Sequence, residues 1–207
     1  MAGTTDIALA YSIDPALAQK IEQVARHVGI PDPGWLANVI NFESNGFNPQ
    51  AVNPFSGATG LIQFMPTTAS ELGTNTAQLR TMSALQQMDY VAAYFMLPRV
   101  RQYGALRSQL DVYMAVFYPK AIGQGPGYVF PALVHAANPG MFTAGAYAAV
   151  ANARAKLSTV TPTALAHLAP FPRLLPVYLG IGGGVVALLL IVLLARRGRG
   201  RGRGRRR

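Results

Sequence analysis

The sequence contains no cysteine and only eight acidic residues among its 207 positions. Without cysteine, the chain has no disulfide framework, no thiolate zinc site and no cysteine nucleophile. The three histidines, His27, His135 and His167, do not show the spacing of metal ligands. We therefore expect a protein that works without a metal or a cofactor.

Basic residues are also scarce outside one segment. The net charge is +10, but eight of the eighteen Lys and Arg lie in the tail RRGRGRGRGRRR, residues 196–207. The rest of the chain carries ten basic and eight acidic residues, a difference of only two. The charge of the domain itself therefore gives no reason to expect nucleic-acid binding, and the tail is a separate feature.

The first twenty residues lack the basic and apolar regions of a cleavable signal peptide, and we expect none. Residues 174–195, by contrast, are apolar and uncharged throughout. A helix of this length spans about 33 Å, enough for a hydrocarbon core of about 30 Å. We interpret it as a single transmembrane helix, the alternative being a buried core helix. Residues 158–173 are proline-rich and predict a linker.

The Arg/Gly tail follows the predicted span directly and cannot build a core of its own. Two interpretations stay open for it. In the first, the tail binds anionic lipid headgroups and keeps the predicted transmembrane helix anchored as a stop-transfer segment. In the second, the tail contacts the phosphates of a nucleic acid.

Helix start and stop signals dominate residues 1–157 and predict a mainly α domain. Asp14-Pro15 and Asp32-Pro33 each place an N-cap acid before a proline, and predict helices ending near Val28 and Glu43. No stretch alternates with the period of two that indicates a strand. Five more helical regions are predicted: PTTASELG at 66–73, a capping-box helix from Ser83 to about Leu97, one from Ser108 to Tyr118, GYVFPALVHAA at 127–137 and TAGAYAAVANARAKL at 143–157.

A single carboxylate, Glu43, stands in the stretch NFESNGFNPQAVNPFSGATGLIQFMP, residues 41–66. It follows Ile40, Val39 and Leu36 by three, four and seven residues, and so shares their apolar helix face. Burial there raises the pKa of a carboxyl, which suits a general acid; the alternative is a helix-end Glu that reaches solvent or caps a turn. The turn-rich residues after it predict a compact excursion in which Gln63 binds sugar or stabilises the turn.

The run E-S-x-x-F-N-P-x-A-x-N-x-x-S-G-A-x-G-L-I-Q-F-M-P-x-T-A, residues 43–69, resembles the lytic transglycosylase (SLT) domain of the lysozyme superfamily. Helix motifs extend the resemblance to about residue 135, and AVFYPKAIG at 115–123 is similar to phage-borne members. The resemblance implies a lysozyme-like (goose-type/SLT) fold. It also implies that Glu43 is the sole catalytic acid/base, that Ser44 orients the substrate or the glutamate, and that Gln63 and Met65 line the sugar cleft.

Two tyrosines are candidate site residues on weaker parts of the resemblance. Phe117 and Tyr118 stand where the family has Tyr-Asn, and Tyr128 corresponds to a later family tyrosine near the glutamate. Both Tyr118 and Tyr128 are candidate substrate contacts, with core or rim aromatics as the alternative.

A hydrolase typically has a second carboxylate, but the remaining acids Glu71, Asp89 and Asp111 suit exposed or capping positions. The resemblance implies that Glu43 protonates the MurNAc–GlcNAc β-1,4 bond and then deprotonates the sugar's own 6-hydroxyl. That hydroxyl closes a 1,6-anhydro ring, so the nucleophile belongs to the substrate. A goose-type lysozyme hydrolase and a non-catalytic membrane-anchored structural protein with a nucleic-acid-binding tail are the alternatives.

Location is predicted from the same features. The positive-inside rule places the Arg tail on the inner side, yet nothing at the N-terminus directs the domain outward. We therefore expect a single-pass protein of the internal membrane of a phage virion, breaching the wall during genome entry, or otherwise of a bacterial cell membrane. The expected partners are peptidoglycan glycan strands, the lipid bilayer and, through the tail, nucleic acid.

Overall fold

The computed structural model describes residues 1–156. The last residue of the predicted domain, the linker, the predicted transmembrane helix 174–195 and the tail 196–207 lie outside the described residues. Over residues 1–156 the chain is mainly helical, and no helix there has the length and apolar character to cross a membrane. The described helices are α1 Thr4–Tyr11, α2 Pro15–Val28, α3 Pro33–Glu43, α4 Pro66–Glu71, α5 Thr76–Thr81, α6 Ala84–Met96, α7 Pro98–Arg101, α8 Gln109–Phe117, α9 Ala132–Ala137 and α10 Ala144–Asn152, with a 3-10 turn at Pro119–Ala121.

The predicted helix starts are confirmed at their caps. The Asp14 carboxylate accepts a hydrogen bond from the Ala16 amide at 2.7 Å, and Asp32 accepts one from Gly34 at 2.9 Å. Both satisfy amides that a helix leaves unpaired in its first turn. Ser83 and Gln86 form the reciprocal capping box expected at the start of α6.

Three short helices, α1, α5 and α7, escaped the sequence prediction. α1 is amphipathic only weakly, and Gly3 at its N-cap provides no side-chain oxygen. α5 is capped by Asn75, whose side chain accepts from the Gln78 amide at 2.8 Å. α7 begins at Pro98, because proline, which ends a preceding helix, also suits the first position of a new one.

The segment GYVFPALVHAA is helical over only part of its length, which corrects the prediction for residues 127–131. Tyr128 to Phe130 run extended beside residues 142–144, with Phe130 N donating to Phe142 O at 3.1 Å and Ala144 N donating to Tyr128 O at 2.9 Å. Pro131 disfavours helical backbone at the residue before it, so α9 starts only at Ala132. In residues 1–156 such pairing is limited to isolated bridges.

α3 lies at the centre of the core and carries the candidate catalytic glutamate at its last position. Its side chains at Leu36, Val39 and Ile40 are completely buried. α3 packs against α2, α8 and α10. The apolar face predicted from the sequence is thus real, and it fixes the position of the helix end.

Tyr94 on α6 makes the alkaline stability of this core testable. Burial raises its pKa to about 12, and the negative charge of Glu43 adds to the rise; its hydroxyl donates to Ala115 O at 2.8 Å. An unfolded tyrosine ionises near about 10. The stabilisation from the neutral phenol is therefore fully present below that pH, and is lost as pH rises from about 10 through about 12.

We expect Tyr94→Phe to lose less stability than the wild type between pH about 9 and pH about 11, because Phe has no proton to release. Free energies of unfolding from denaturant titrations at the two pH values measure this difference. Equal alkaline losses in the two proteins would contradict it.

Candidate active site

Glu43 ends α3 at a sharp change of backbone direction. Ser44 caps the helix, and Asn45, Gly46 and Phe47 then adopt left-handed φ angles of 55°, 102° and 62°. Such angles are unusual for a bulky side chain such as that of Phe47. Phe47 is retained there because its ring is buried and meets the Tyr11 ring edge-on at 4.9 Å between centroids. Strained backbone of this kind concentrates at functional sites.

The carboxyl group of Glu43 is buried and hydrogen-bonded. Only 4% of the residue is exposed, and the Tyr147 hydroxyl donates to its Oε1 at 2.7 Å. This bond joins the end of α3 to α10, across 104 residues of sequence. The carboxyl is therefore oriented by a donor that the sequence reading did not find.

Aromatic rings hold Tyr147 in place. Its ring stacks on Phe117 at 4.2 Å, and Phe42 and Tyr113 meet it edge-on at 5.7 and 6.1 Å. Each such pair adds specific geometry to ordinary apolar burial. The phenol of Tyr147 consequently reaches Glu43 from a fixed direction.

The segment 44–65 folds back on itself as the compact excursion that its turn residues predicted. The Asn53 side chain accepts from the amides of Phe55 and Ser56 at 2.9 and 3.2 Å, a turn typical of Asn. Bridges pair Val52 with Thr59 and Thr59 with Phe64. The segment thus has fixed backbone geometry beside Glu43.

A buried glutamine, Gln87 of α6, is hydrogen-bonded to the segment 44–65. Its side chain is completely buried. Its Nε2 donates to Pro49 O and to Leu79 O, both at 2.7 Å, and its Oε1 accepts from the Leu61 amide at 2.9 Å. All of these groups would otherwise be buried polar atoms in need of partners. Gln87 therefore ties the segment to α5 and α6 through one side chain.

Three of the predicted site residues lie in or next to this segment. Ser44 is completely buried, and its hydroxyl donates to Ile40 O at 2.7 Å, one turn back in α3. Gln63 has a left-handed φ of 54°, and its Nε2 donates to Gly60 O at 3.1 Å and to Ala51 O at 3.3 Å. Its amide thus stabilises the turn, with Oε1 the remaining acceptor. Met65 is half-buried against the core and precedes α4.

The predicted tyrosines Tyr118 and Tyr128 lie together, with ring centroids 6.0 Å apart, and both pack on Phe130. Tyr118 is buried, and desolvation, with the neighbouring Tyr128, raises its pKa to about 12. Its phenol therefore stays neutral and able to donate at ordinary pH. Tyr128 thus lies with Tyr118, and the hydroxyl that donates to Glu43 is that of Tyr147.

Tyr147 was missed because its helix gives little sequence information. TAGAYAAVANARAKL is rich in alanine, and Tyr147 is its one aromatic residue. A single large side chain among small ones was the available signal, but nothing local links it to a residue 104 positions earlier.

The acids considered as a possible second carboxylate all have other partners. Glu71 pairs with Arg99 and Asp89 pairs with Lys20, each at 2.7 Å. Asp111 accepts from the Ser108 hydroxyl at 2.8 Å at the start of α8. Across residues 1–156, no group of three or more His, Asp or Glu is arranged to hold a metal ion.

Residues 20–116 match the family model of the transglycosylase SLT domain. This stretch of the chain is an SLT domain. It belongs to the lysozyme-like superfamily, and it contains Glu43, Ser44, Gln63 and Met65. The SLT match ends one residue before Phe117, so Tyr118, Tyr128 and Tyr147 lie beyond it. No curated protein matches the chain, and no solved structure does.

Tyr147→Phe tests the hydrogen bond to Glu43. The ring and its packing remain, but the carboxyl loses its donor. Hydrogen bonds to ionisable groups contribute about 1.5–3 kcal/mol, so we expect kcat for glycan cleavage to fall about 10-fold or more while KM stays the same. Turnover of purified peptidoglycan measures both.

Tyr113→Phe is the matched control. Its ring belongs to the same aromatic group, but its hydroxyl accepts from Gln109 Nε2 at 2.9 Å. A Tyr147→Phe protein with the kcat of the wild type would show that Tyr147 acts only through packing, and equal losses in the two variants would show that the loss does not come from the bond to Glu43.

Proposed function

We propose that this SLT domain is a lytic transglycosylase that cleaves the MurNAc–GlcNAc β-1,4 bond of peptidoglycan with formation of 1,6-anhydro-MurNAc. The observation that carries the proposal is Glu43, a buried carboxyl at the end of α3, oriented by Tyr147 and placed within the matched SLT segment. The fixed excursion 44–65 next to it supplies a wall against which a glycan strand can lie.

Glu43 serves both proton transfers in this proposal. Its carboxyl is buried and accepts the hydrogen bond of Tyr147, so it is held in one orientation for both transfers. As the acid, Glu43 gives its proton to the glycosidic oxygen as the bond breaks. As the carboxylate, it then takes the proton of the 6-hydroxyl of the same sugar.

The 6-hydroxyl attacks the anomeric carbon and closes the anhydro ring. Because it is attached to the reacting sugar, its effective concentration is very high and no bound water has to be activated. The substrate's acetamido group stabilises the positive charge at the anomeric carbon. The partners already found for Glu71, Asp89 and Asp111 support a reaction with one protein carboxyl.

The product distinguishes the proposal from its nearest alternative. Digestion of peptidoglycan by the full chain, followed by mass spectrometry of the fragments, should give anhydro ends that are lighter by one water than reducing ends. Reducing ends alone would instead establish a goose-type lysozyme that uses water on the same fold.

The other site residues are proposed from their positions. Gln63 Oε1 and Met65 contact the sugars, Ser44 fixes the end of α3 beneath Glu43, and Tyr118 and Tyr128 contact the strand farther along. We further propose a domain over residues 1–157, joined by the linker 158–173 to a membrane anchor at 174–195.

The anchor and the Arg tail support a place in the internal membrane of a phage virion, from which the enzyme breaches the wall during genome entry. The tail 196–207 then lies near packaged DNA or anionic lipid. Immunodetection in purified particles tests this; detection only in a bacterial cell membrane would contradict it. A non-catalytic anchored protein is the third possibility, and it predicts no cleavage of peptidoglycan at all.

A further inference from the structure

The first residues of the chain contact α3 and the turn after it at three places. Ala2 N donates to Asp32 Oδ1 at 3.1 Å, at the N-cap of α3. The Tyr11 hydroxyl donates to Asn38 Oδ1, in the middle of α3. The Tyr11 ring meets the ring of Phe47, just beyond the C-terminal end of α3, at 4.9 Å between centroids. Residues 2–11 therefore touch α3 from its start to the turn that follows Glu43.

These contacts are made by a part of the chain that precedes the matched SLT segment, which begins at residue 20. The family match therefore gives α1 no role. Tyr11 is buried, and Asn38 is completely buried. A buried hydroxyl and a buried amide each need a hydrogen-bond partner, so the bond between them fixes where the Tyr11 ring lies.

The turn on which this ring packs closes the end of α3. Gly46 N donates to Asn41 O at 3.0 Å, a bond that satisfies a carbonyl left open in the last turn of a helix. The bond requires left-handed backbone after Glu43, and that conformation is unfavourable for Phe47, whose φ is 62°. Burial of the Phe47 ring against Tyr11 compensates for it. If this contact is lost, Phe47 can relax and the last turn of α3 can open.

We infer that Tyr11 is a positioning residue for the candidate acid: its ring holds Phe47 in the left-handed conformation, and the closed turn fixes the direction in which Glu43 leaves α3. The inference rests on the proposed function, in which Glu43 transfers the protons. In this role Tyr11 acts through Phe47 and not on the substrate. A displacement of about 1 Å at a catalytic group can lower the rate about 100-fold, so a partial opening of the turn is enough to be measured.

Tyr11→Leu and Tyr11→Phe in the full chain separate the ring from the hydroxyl. Both variants remove the hydroxyl and its bond to Asn38, but only Tyr11→Leu removes the ring from Phe47. We expect kcat for peptidoglycan cleavage by Tyr11→Leu to be about 2- to 10-fold lower than that of Tyr11→Phe, the range that corresponds to one aromatic pair. KM should be the same in both, because the turn directs the acid and does not bind the sugars. Tyr11→Met, which fills the space without a ring, should behave as Tyr11→Leu does.

Two further variants distinguish positioning from a general loss of stability. Phe95→Leu removes another edge-on pair, that of Tyr94 and Phe95 at 5.6 Å, and should lower the melting temperature without lowering kcat. In a Phe47→Leu background, Tyr11→Leu should cause little additional loss of kcat, since the contact that it removes is already absent. All rates are measured at a temperature at which thermal unfolding shows each variant to be folded.

The outcomes separate this inference from the proposed function. If the wild type cleaves peptidoglycan and Tyr11→Leu and Tyr11→Met have the kcat of Tyr11→Phe, the inference is wrong and the proposed function stands. The same conclusion follows if Phe95→Leu loses as much kcat as Tyr11→Leu, or if the losses from Tyr11→Leu and Phe47→Leu simply add. A wild type that does not cleave peptidoglycan overturns the proposed function and the inference with it.

Discussion

Replacing Glu43 with glutamine is expected to lower the rate of peptidoglycan cleavage about 1,000-fold or more, because the amide can neither give nor take the proton that the reaction needs. The substitution preserves shape. The Gln carbonyl oxygen can still accept the hydrogen bond from Tyr147, which is 2.7 Å long in the wild type. The fold should therefore survive, and release of soluble fragments from peptidoglycan measures the loss.

Asp89→Asn is the control for the charge change. Asp89 pairs with Lys20 on the surface, and its side chain is 69% exposed. The Asp89→Asn protein should therefore be as active as the wild type. Thermal unfolding of both variants verifies the fold. A Glu43→Gln protein that is folded and keeps a substantial part of its activity would rule out Glu43 as the acid.

Replacing Gly60 with alanine is expected to have the largest effect on stability. Gly60 has a φ of +82°, and a Cβ atom there would lie 2.3 Å from Gln87 Oε1. Left-handed backbone costs an alanine about 1–2 kcal/mol, and Gln87 can move only by giving up its buried hydrogen bonds. We expect a total loss of about 3 kcal/mol or more, which lowers the melting temperature by about 10 °C.

Gly73→Ala isolates the contribution of the clash. Gly73 has a similar φ of +75°, but nothing lies within 4 Å of an added Cβ. It should lose only the cost of the backbone conformation, and the difference between the two variants is the cost of displacing Gln87. If both proteins melt at the same temperature, Gln87 does not hold the segment rigidly.

Local sequence signals predicted the parts of the site that depend on neighbours in the chain. The burial of Glu43 followed from its spacing to Leu36, Val39 and Ile40, because residues three, four and seven apart share a helix face. The helix caps and the turns of residues 44–65 followed in the same way, from Asp, Asn, Gly and Pro at fixed offsets.

Contacts between distant segments were not predictable in this way. The Tyr147 hydroxyl reaches Glu43 only once α10 has packed against α3 and α8. Gln87 gave no sign that it accepts from the Leu61 amide, 26 residues away. Tyrosine and glutamine occur in many roles, so the residue type alone did not indicate these two contacts. Both contacts depend on tertiary packing, which leaves no local pattern in the sequence.

The resemblance assigns Tyr128 to a later family tyrosine near the glutamate on few matching residues. In the structure, Tyr128 follows Gly125 and Gly127 and begins the extended segment that pairs with residues 142–144. The tyrosine that donates to Glu43 is Tyr147, which follows α9 in the chain.

The contact between the last described residues and the first helix bears on how α10 is held in place. Lys156 N donates to the Tyr11 hydroxyl at 3.3 Å, and Asn41 Nδ2 donates to Arg154 O at 3.1 Å. These two bonds tie the segment directly after α10 to the end of α1 and to α3. The helix that carries Tyr147 is therefore fastened at its far end as well as at Glu43, so a change at the surface near Tyr11 or Asn41 acts on the orientation of the candidate acid through α10.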